Sequence, residues 1–215
     1  MGKIVAIDGP AGSGKGTVAN ILAKECNLMY IDTGAMYRAI AYSTLQNNIS
    51  IDEEEKIVKL ASNSKIDFID GKTYLNSIDV SKEIRTMEVT KIVSPISSIV
   101  KLREILVDMQ RKLAGDNDVI MEGRDITTVV FPNATYKFYL DADVEERAKR
   151  RYKENIEKGI NTTYEEILDN IKKRDYNDMH KEVGSLTRVD DAIYIDSTNM
   201  TIDEVVNKMK EVINS

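Results

Sequence analysis

Short apolar runs alternate with amphipathic segments along most of the chain. The runs are rich in β-branched residues and end in glycine or acidic residues, as is typical of strands buried in a parallel sheet. Between them, apolar residues recur at helical spacing. Strands that alternate with helices through short connections predict a doubly wound α/β fold, whose ligands bind at the carboxyl edge of the sheet. The predicted strands are Lys3–Gly9, Leu28–Asp32, Asp118–Asp125, Ala134–Asp143 and Asp191–Thr198.

The helical segments between these strands carry recognisable end signals. Asp143, Thr163 and Thr201 are predicted to cap the helices that follow them, because their side-chain oxygens can accept a free backbone N–H. Gly159 is predicted to end a helix. The predicted helices are Gly14–Asn27, Ala35–Gln46, Thr86–Ile92, Ile96–Ala114, Val144–Gly159, Tyr164–Asp178 and Thr201–Asn214.

One segment, Lys65–Ser81, departs from this pattern because its apolar and polar residues alternate around Asp70-Gly71. An Asp-Gly pair flanked by alternation is a strong signal for an antiparallel hairpin. The sequence therefore predicts a hairpin subdomain inserted into the α/β fold.

The stretch GPAGSGKGT between the first strand and the first helix follows the phosphate-loop (P-loop) pattern, and it predicts an ATP site. Its glycines allow successive N–H groups to point at an anion, and the lysine adds a positive charge. An accidental glycine-rich turn is the alternative, and the strand and helix on either side argue against it. The predicted ATP-binding residues are Gly9, Pro10, Ala11, Gly12, Ser13, Gly14, Lys15, Gly16 and Thr17.

Gly16 stands where GTPases and motor ATPases supply a hydroxyl to Mg²⁺, and the hydroxyl follows one residue later at Thr17. We expect Mg²⁺ to be held mainly by water and nucleotide phosphates, with no dedicated protein metal site. The pattern is similar to that of nucleoside-monophosphate kinases. The chain has no D-x-x-G or N-K-x-D motif, which argues against a GTPase.

Two further strand ends carry candidate acceptor residues. In DTGAMYR, Thr33 lies at the ligand edge, and Arg38 lies one helical turn inside, where its guanidinium can grip a phosphate. In EGRDITTVVFP, Arg124 suits a phosphate, and Asp125 suits an exocyclic amine or a sugar hydroxyl. A helix cap with a surface arginine, and an ion pair at a strand end, are the respective structural alternatives.

A basic helix and the helix after it supply more arginines. Arg147, Arg150 and Arg151 predict a mobile lid that neutralises charge and excludes water, although such a run is as often a solvated face. Arg174 and Asp178 lie four residues apart on one helix face, as candidates for the site or as a plain salt bridge.

Composition narrows the class of protein. The chain has 215 residues and a formal net charge of −6, which argues against a polynucleotide partner. Its single cysteine fits a reducing cytoplasm, and no apolar run reaches the length of a membrane span. The chain is expected to be a cytoplasmic monomer, because no long exposed apolar stripe is evident.

Taken together and in order, the motifs resemble those of the bacterial cytidylate kinase family. They are GPAGSGKGT, DTGAMYR, the hairpin followed by VSKEIRT, VKLRE, EGRDITTVVFP, KKRDYND and IDST, and they cover nearly the whole chain. The resemblance implies a P-loop kinase fold with a five-stranded parallel sheet. It also implies an acceptor subdomain over residues 33–114 and a short helical lid over residues 147–163.

The resemblance also assigns roles to individual residues. Thr33, Ser94, Arg103 and Asp125 would read cytosine, and Arg38 and Arg124 would hold the CMP phosphate. Arg174, Asp178 and Lys181 would complete the acceptor site, while Arg150 and Arg151 would approach ATP. Lys15, Arg124 and Arg174 are the predicted catalytic residues. The chain departs from the family pattern at Lys181, where arginine is expected, and at Gly184-Ser185.

The function that follows is ATP-dependent phosphorylation of CMP and dCMP by direct in-line transfer, with Mg²⁺ as cofactor. A carboxylate can accept a hydrogen bond from the N4 amine of cytosine, whereas uracil presents an oxygen there. A kinase for another small acceptor, such as UMP, and a regulator that binds ATP without transfer are the alternatives.

Overall fold

The computed structural model describes residues 2–157 and 159–214 of the protein. Lys158 belongs to the predicted helix Val144–Gly159 and to the predicted lid, and it lies outside the described residues, as do the two terminal residues of the predicted domain. The described strands are β1 (Ile4–Asp8), β2 (Met29–Asp32), β3 (Ile66–Ile69), β4 (Lys72–Leu75), β5 (Ile78–Asp79), β6 (Val119–Gly123), β7 (Tyr136–Asp141) and β8 (Ile193–Asp196).

Five of these strands form one parallel sheet, which confirms the predicted α/β fold. Their order is β2-β6-β1-β7-β8, so β1 is central and pairs with β6 and β7. The carboxyl ends of β1, β2 and β6 therefore meet at one edge. Gly9, Thr33 and Arg124 follow directly after these three strands, at the edge where the predicted site residues belong.

Eight α-helices surround the sheets in the described part of the chain. They are α1 (Lys15–Glu25), α2 (Thr33–Gln46), α3 (Glu54–Ser62), α4 (Met87–Ile96), α5 (Val100–Ala114), α6 (Val144–Glu157), α7 (Tyr164–Met179) and α8 (Ile202–Ile213). A 3₁₀ turn spans Glu83–Arg85, and a π-helical turn spans Ile126–Val130.

Two expectations about the helices need correction. Helix α3 was not predicted, because only Ile57 and Ala61 of its nine residues are buried. The predicted break between Ile92 and Ile96 is also wrong, since α4 continues through Pro95. The Ser97 N–H donates to the Val93 carbonyl at 2.9 Å, so the proline sits in a last turn that remains helical.

The predicted helix caps at Asp143, Thr163 and Thr201 are confirmed by hydrogen bonds. The Glu145 N–H donates to Asp143 Oδ1 at 2.8 Å, and both threonines form reciprocal capping boxes with the glutamate three residues later. Among the described residues, no helix has the length and apolar character needed to cross a bilayer.

The sheet separates two apolar layers, because successive side chains of β1 point to opposite faces. Val5 and Ile7 pack with α1 and α8 on one face. Ile4 and Ala6 belong to the layer formed with α2, α4, α5 and the inserted segment. Burial on both faces explains why these strands are continuously apolar.

The predicted hairpin is present, and a third short strand extends it. Strands β3 and β4 are antiparallel around Asp70 and Gly71, whose φ angles of 50° and 73° match a two-residue hairpin turn. The short strand β5 pairs with β4 and makes a separate three-stranded sheet. It leads directly into the Glu83–Arg85 turn.

Candidate active site

A cavity of about 590 Å³ lies at the carboxyl edge of the sheet, between the phosphate loop, the α4–α5 region and the end of α7. Every residue predicted to bind the acceptor lines it, namely Thr33, Arg38, Ser94, Arg103, Arg124, Asp125, Arg174, Asp178 and Lys181. Six residues of the phosphate loop also line it, namely Ala11, Gly12, Gly14, Lys15, Gly16 and Thr17. Gly9, Pro10 and Ser13 are buried parts of the same loop and do not line the cavity.

The phosphate loop curls around the start of α1. Gly12 and Gly14 have φ angles of 78° and 91°, which L side chains adopt only with strain. Buried Lys15 donates from Nζ to the Pro10 carbonyl at 2.9 Å, which draws the ends of the loop together. The N–H groups at the start of α1 carry the positive end of the helix dipole, so the loop favours an anion.

Lys15 is buried among other cations, so its charged form is unfavourable unless an anion is bound. Burial and then the charge of Arg124 lower its pKa to about 7, although Glu122 opposes the shift. The Glu122 carboxylate lies 3.9 Å from Lys15 Nζ. Phosphate groups bound here would favour the ammonium form, because opposite charges stabilise each other at short range.

Gly16 leaves space that neighbouring polar groups occupy. A Cβ at this position would lie 3.4 Å from Glu122 Oε1 and 3.5 Å from the Tyr30 hydroxyl. Burial and then the charge of Asp32 raise the pKa of Glu122. The position that carries a hydroxyl in other phosphate loops therefore faces a carboxylate and a phenol in this protein.

Beside the first turn of α5, the cavity is lined by a buried ion pair. Arg103 Nη2 donates to Asp125 Oδ2, and Nη1 donates to the Ser97 carbonyl at 3.0 Å. Burial raises the pKa of Asp125 despite this partner. The Tyr37 ring lies 5.6 Å from the Arg103 guanidinium, and its buried hydroxyl has no hydrogen-bond partner among the described residues. Together these groups offer a fixed set of donors and acceptors for a flat polar ligand.

Near the end of α7, three cationic side chains surround Asp178. It accepts from Arg124 Nε at 2.8 Å and from Lys181 Nζ at 2.9 Å, and Arg174 Nε lies 3.9 Å away. Burial opposes ionisation, but these three charges hold the pKa of Asp178 well below its usual range. Burial and then the charge of Arg124 lower the pKa of Arg174 to about 10.

Lys181 also connects two elements across the cavity. Its Nζ donates to Ser97 Oγ at 2.9 Å, which joins the segment after α7 to the segment between α4 and α5. The lysine at this departure from the family pattern therefore still makes a bridging contact. It makes the contact with a single nitrogen and lacks the fork of a guanidinium.

Asp32 gathers two arginines at the start of α2. Arg38 Nη2 lies 3.1 Å from Asp32 Oδ2, and Arg85 Nη2 lies 3.3 Å from the same oxygen. Asp32 Oδ1 caps α2 by accepting from the Ala35 N–H at 2.8 Å. Thr33 Oγ1 donates to the Glu122 carbonyl at 2.8 Å, which leaves its lone pairs available to a ligand.

The three candidate arginines of the predicted lid have different surroundings. Arg147 is buried and donates to the Ala11 carbonyl and to Asp175, so it fastens α6 to the phosphate loop and to α7. Arg150 donates to the Ser197 carbonyl at 2.6 Å and is not among the cavity-lining residues. Arg151 is half exposed, pairs with Glu154 and lines the cavity.

Asp8 joins the end of β1 to the turn that follows two of the predicted acceptor residues. Its fully buried carboxylate accepts from the N–H groups of Ile126 and Thr127 at 2.9 and 2.8 Å, and from Thr127 Oγ1 at 2.6 Å. Burial raises the pKa of Asp8 despite these hydrogen bonds. Arg124 and Asp125 immediately precede this turn, so Asp8 fixes their backbone.

Four residues at or beside the cavity were missed by the sequence analysis. Glu122 and Tyr37 lie inside motifs that were identified, so their positions at the strand end and one turn into the helix were available signals. Asp8 ends a buried strand, where a lone carboxylate is itself unusual. Arg85 lies outside any strand end, and only the VSKEIRT motif indicates it.

The cavity carries an excess of positive charge. Among the described residues that line it, nine are lysine or arginine and five are aspartate or glutamate. The excess of four positive charges stands against a net charge of −6 for the whole chain. Such a local concentration of cations attracts a small polyanionic ligand.

Comparisons with known proteins agree with this geometry. A model of the cytidylate kinase family matches residues 5–215. The cytidylate kinase of Clostridioides difficile is 47% identical over 211 residues, which cover 98% of each chain. The cytidylate kinase of Fusobacterium nucleatum is 50% identical over 204 residues, which cover 95% of this chain and 94% of that protein.

Among solved structures, a shikimate kinase from Bacteroides thetaiotaomicron aligns over 99% of both chains with a TM-score of 0.52 and 12% identity. At this level of identity, the likeness concerns the fold alone. The family match and the two cytidylate kinases extend over nearly the whole sequence, phosphate loop and acceptor residues included. The chain therefore belongs to the cytidylate kinase family.

Proposed function

We propose that the protein transfers the γ-phosphoryl group of ATP to CMP or dCMP. The observation that carries this proposal is the presence of two anion sites in one cavity, with a buried polar pair beyond them. The phosphate loop and Lys15 form the first site, and Arg38, Arg124 and Arg174 surround the second. A donor and an acceptor bound this way have their phosphates facing each other across the cation cluster.

The Arg103–Asp125 pair supports a cytosine base in the acceptor site. Asp125 can accept a hydrogen bond from the N4 amine of cytosine, and Arg103 can donate to N3 or O2. Uracil carries an oxygen and an N–H at the corresponding places, so both groups would be mismatched. A buried polar mismatch discriminates more strongly than a difference in size. Thr33 and Ser94 complete the proposed base-reading set.

Transfer requires alignment and charge neutralisation more than proton chemistry. Lys15, Arg124 and Arg174 line the same cavity, and Arg124 is held by Asp178. In this proposal they neutralise the negative charge that accumulates on the transferred group. The acceptor phosphate is already ionised at neutral pH, so no general base is required. Holding both reactants in line removes the entropic cost of bringing them together.

The oxygen donors near Gly16 suit Mg²⁺, which prefers oxygen ligands and retains several waters. Within the described ranges, no group of three histidine, cysteine, aspartate or glutamate residues could hold a metal ion. Thr17 and Glu122 are therefore the protein groups that would approach Mg²⁺, directly or through water, and nucleotide phosphates would supply the other ligands. When bound, Mg²⁺ would neutralise phosphate charge.

We also propose that residues 33–114 form the acceptor subdomain and that residues 147–163 include a lid over ATP. In this arrangement Arg151 reaches the ATP phosphates, while Arg150 would have to leave the Ser197 carbonyl in order to approach ATP. The hydrogen bonds of Arg147 to Ala11 and Asp175 support a lid whose moving part begins after that residue. We expect a monomer that acts in the cytoplasm, where both substrates are available, and size-exclusion chromatography with light scattering tests the first point.

The experiment that tests the function is ADP release from ATP and Mg²⁺ with CMP, dCMP, UMP or AMP as acceptor. The proposal requires that CMP and dCMP turn over well ahead of UMP and AMP. Equal turnover of UMP would keep the kinase but refute base reading by Arg103 and Asp125. ATP binding without acceptor-dependent ADP release would show a protein that binds nucleotide without transfer.

A further inference from the structure

Arg85 extends from the inserted segment towards the cation cluster. It ends the 3₁₀ turn Glu83–Arg85, which is anchored by the fully buried Ile84. Its side chain is 61% exposed, yet it lines the cavity beside Arg38 and Arg124. The turn connects the three-stranded sheet to α4, so Arg85 belongs to the inserted segment and not to the parallel sheet.

The only ion pair described for Arg85 joins it to a carboxylate that already has other partners. Asp32 caps α2 through Ala35 and pairs with the more buried Arg38 at 3.1 Å. Arg85 adds a second guanidinium at 3.3 Å through one nitrogen. An exposed single contact of this kind contributes little stability, so Arg85 can leave Asp32 at small cost.

Arg38 packs closely on the backbone of Gly34 and keeps one donor unpaired. A Cβ on Gly34 would lie 3.2 Å from both Arg38 Nη1 and Asp32 Oδ1, so the absence of a side chain lets the guanidinium lie over the backbone. Arg38 Nε is buried and has no hydrogen-bond partner among the described residues. A buried donor without a partner calls for an acceptor, and a phosphate oxygen bound by Arg38 would supply one.

We propose that Arg85 is a further phosphate-binding residue, which moves from Asp32 to the phosphate of the bound acceptor nucleotide. The inference rests on the proposed function. A doubly charged phosphate shared with Arg38 offers Arg85 a stronger partner than a carboxylate that Arg38 already neutralises. Ile84 keeps the turn anchored, so the change is confined to the side chain of Arg85.

Calorimetric titration with CMP and with cytidine distinguishes a phosphate contact from a structural role. The variants are Arg85→Ala, Arg85→Lys and the matched control Lys82→Ala, an exposed cation in the same turn. Loss of one charged hydrogen bond predicts that Arg85→Ala weakens CMP binding about tenfold and leaves cytidine binding within about twofold. Arg85→Lys should fall between Arg85→Ala and the wild type, and Lys82→Ala should match the wild type.

Two results would overturn the inference. One is CMP affinity in Arg85→Ala equal to that in Lys82→Ala. The other is an equal loss of CMP and cytidine binding, which would show that Arg85 only supports the shape of the site. Failure of the proposed function would look different, because the wild-type protein itself would then release no ADP in response to CMP.

Discussion

Replacing Gly184 with alanine should damage the acceptor site specifically. Gly184 follows α7 with a φ angle of 68°, and its backbone lies directly against the buried Arg103–Asp125 pair. A Cβ there would lie 2.0 Å from Arg103 Nη2 and 2.5 Å from Asp125 Oδ2. Because these distances are shorter than any van der Waals contact, either the loop or the ion pair must move.

The expected magnitude has a backbone part and a contact part. An L-residue in the left-handed region costs about 1–2 kcal/mol, which lowers the free energy of unfolding of Gly184→Ala. Displacement of the pair removes hydrogen bonds from a charged group to the base, worth about 1.5–3 kcal/mol each. One such loss corresponds to a decrease in kcat/KM for CMP of about 10- to 150-fold.

Gly159→Ala is the matched control for the backbone part. Gly159 has a φ angle of 69°, and a Cβ there would meet nothing within 4 Å. Denaturant unfolding should show a larger loss of stability in Gly184→Ala than in Gly159→Ala, because only the Cβ at position 184 also displaces a buried ion pair. Steady-state kinetics should show the loss of kcat/KM for CMP in Gly184→Ala only, together with an unchanged KM for ATP. If kcat/KM for CMP were the same in both variants, the described packing of Gly184 on the ion pair would be refuted.

Three further predictions concern buried charges. ATP binding at pH 8 should be accompanied by proton uptake, because the pKa of Lys15 is lowered to about 7 and the phosphates restore its charge. Calorimetry in buffers of different ionisation enthalpy measures the uptake, and uptake that persists in Lys15→Gln would contradict the prediction. Asp8→Asn should lower the free energy of unfolding by about 1–3 kcal/mol, because donors that now bond to the carboxylate lose their acceptor, and by more than Thr127→Val, which removes only the hydroxyl donor. Equal losses in denaturant titrations would be evidence against the fixing of this turn by Asp8. Asp178→Asn should raise the KM for CMP and lower stability at pH 7. Because the pKa of Asp178 is lowered in the folded state, the difference in stability from the wild type should be constant above about pH 5 and shrink below about pH 4. A difference that does not depend on pH would show that the charge of Asp178 is not its cause.

The parallel sheet was predictable because each strand has a local signal and the parallel arrangement follows from the intervening helices. That arrangement also places Thr33 and Arg124 at one edge, since they come directly after β2 and β6, which pair with each other in the parallel sheet. The helix α3 was missed because its N-cap, Glu53, makes no side-chain capping hydrogen bond, so the sequence carries no clear signal for the start of the helix.

The pairings inside the site could not be derived from local pattern. Arg124 and Asp178 are 54 positions apart, and Lys181 and Ser97 are 84 positions apart. Such contacts depend on how α5 and α7 pack beside the sheet, and no periodicity in either helix encodes that packing. The resemblance to a family suggested that these residues share a site, but it did not indicate which of them contact each other.

The strand order has a consequence for synthesis of the chain on the ribosome. β1 emerges first, but its neighbours β6 and β7 begin at Val119 and Tyr136, and β1 never pairs with β2. More than half of the chain must therefore be made before the central strand gains any partner in its sheet. Pairing between such distant segments is slow, so the apolar strand β1 remains available to chaperones for much of translation.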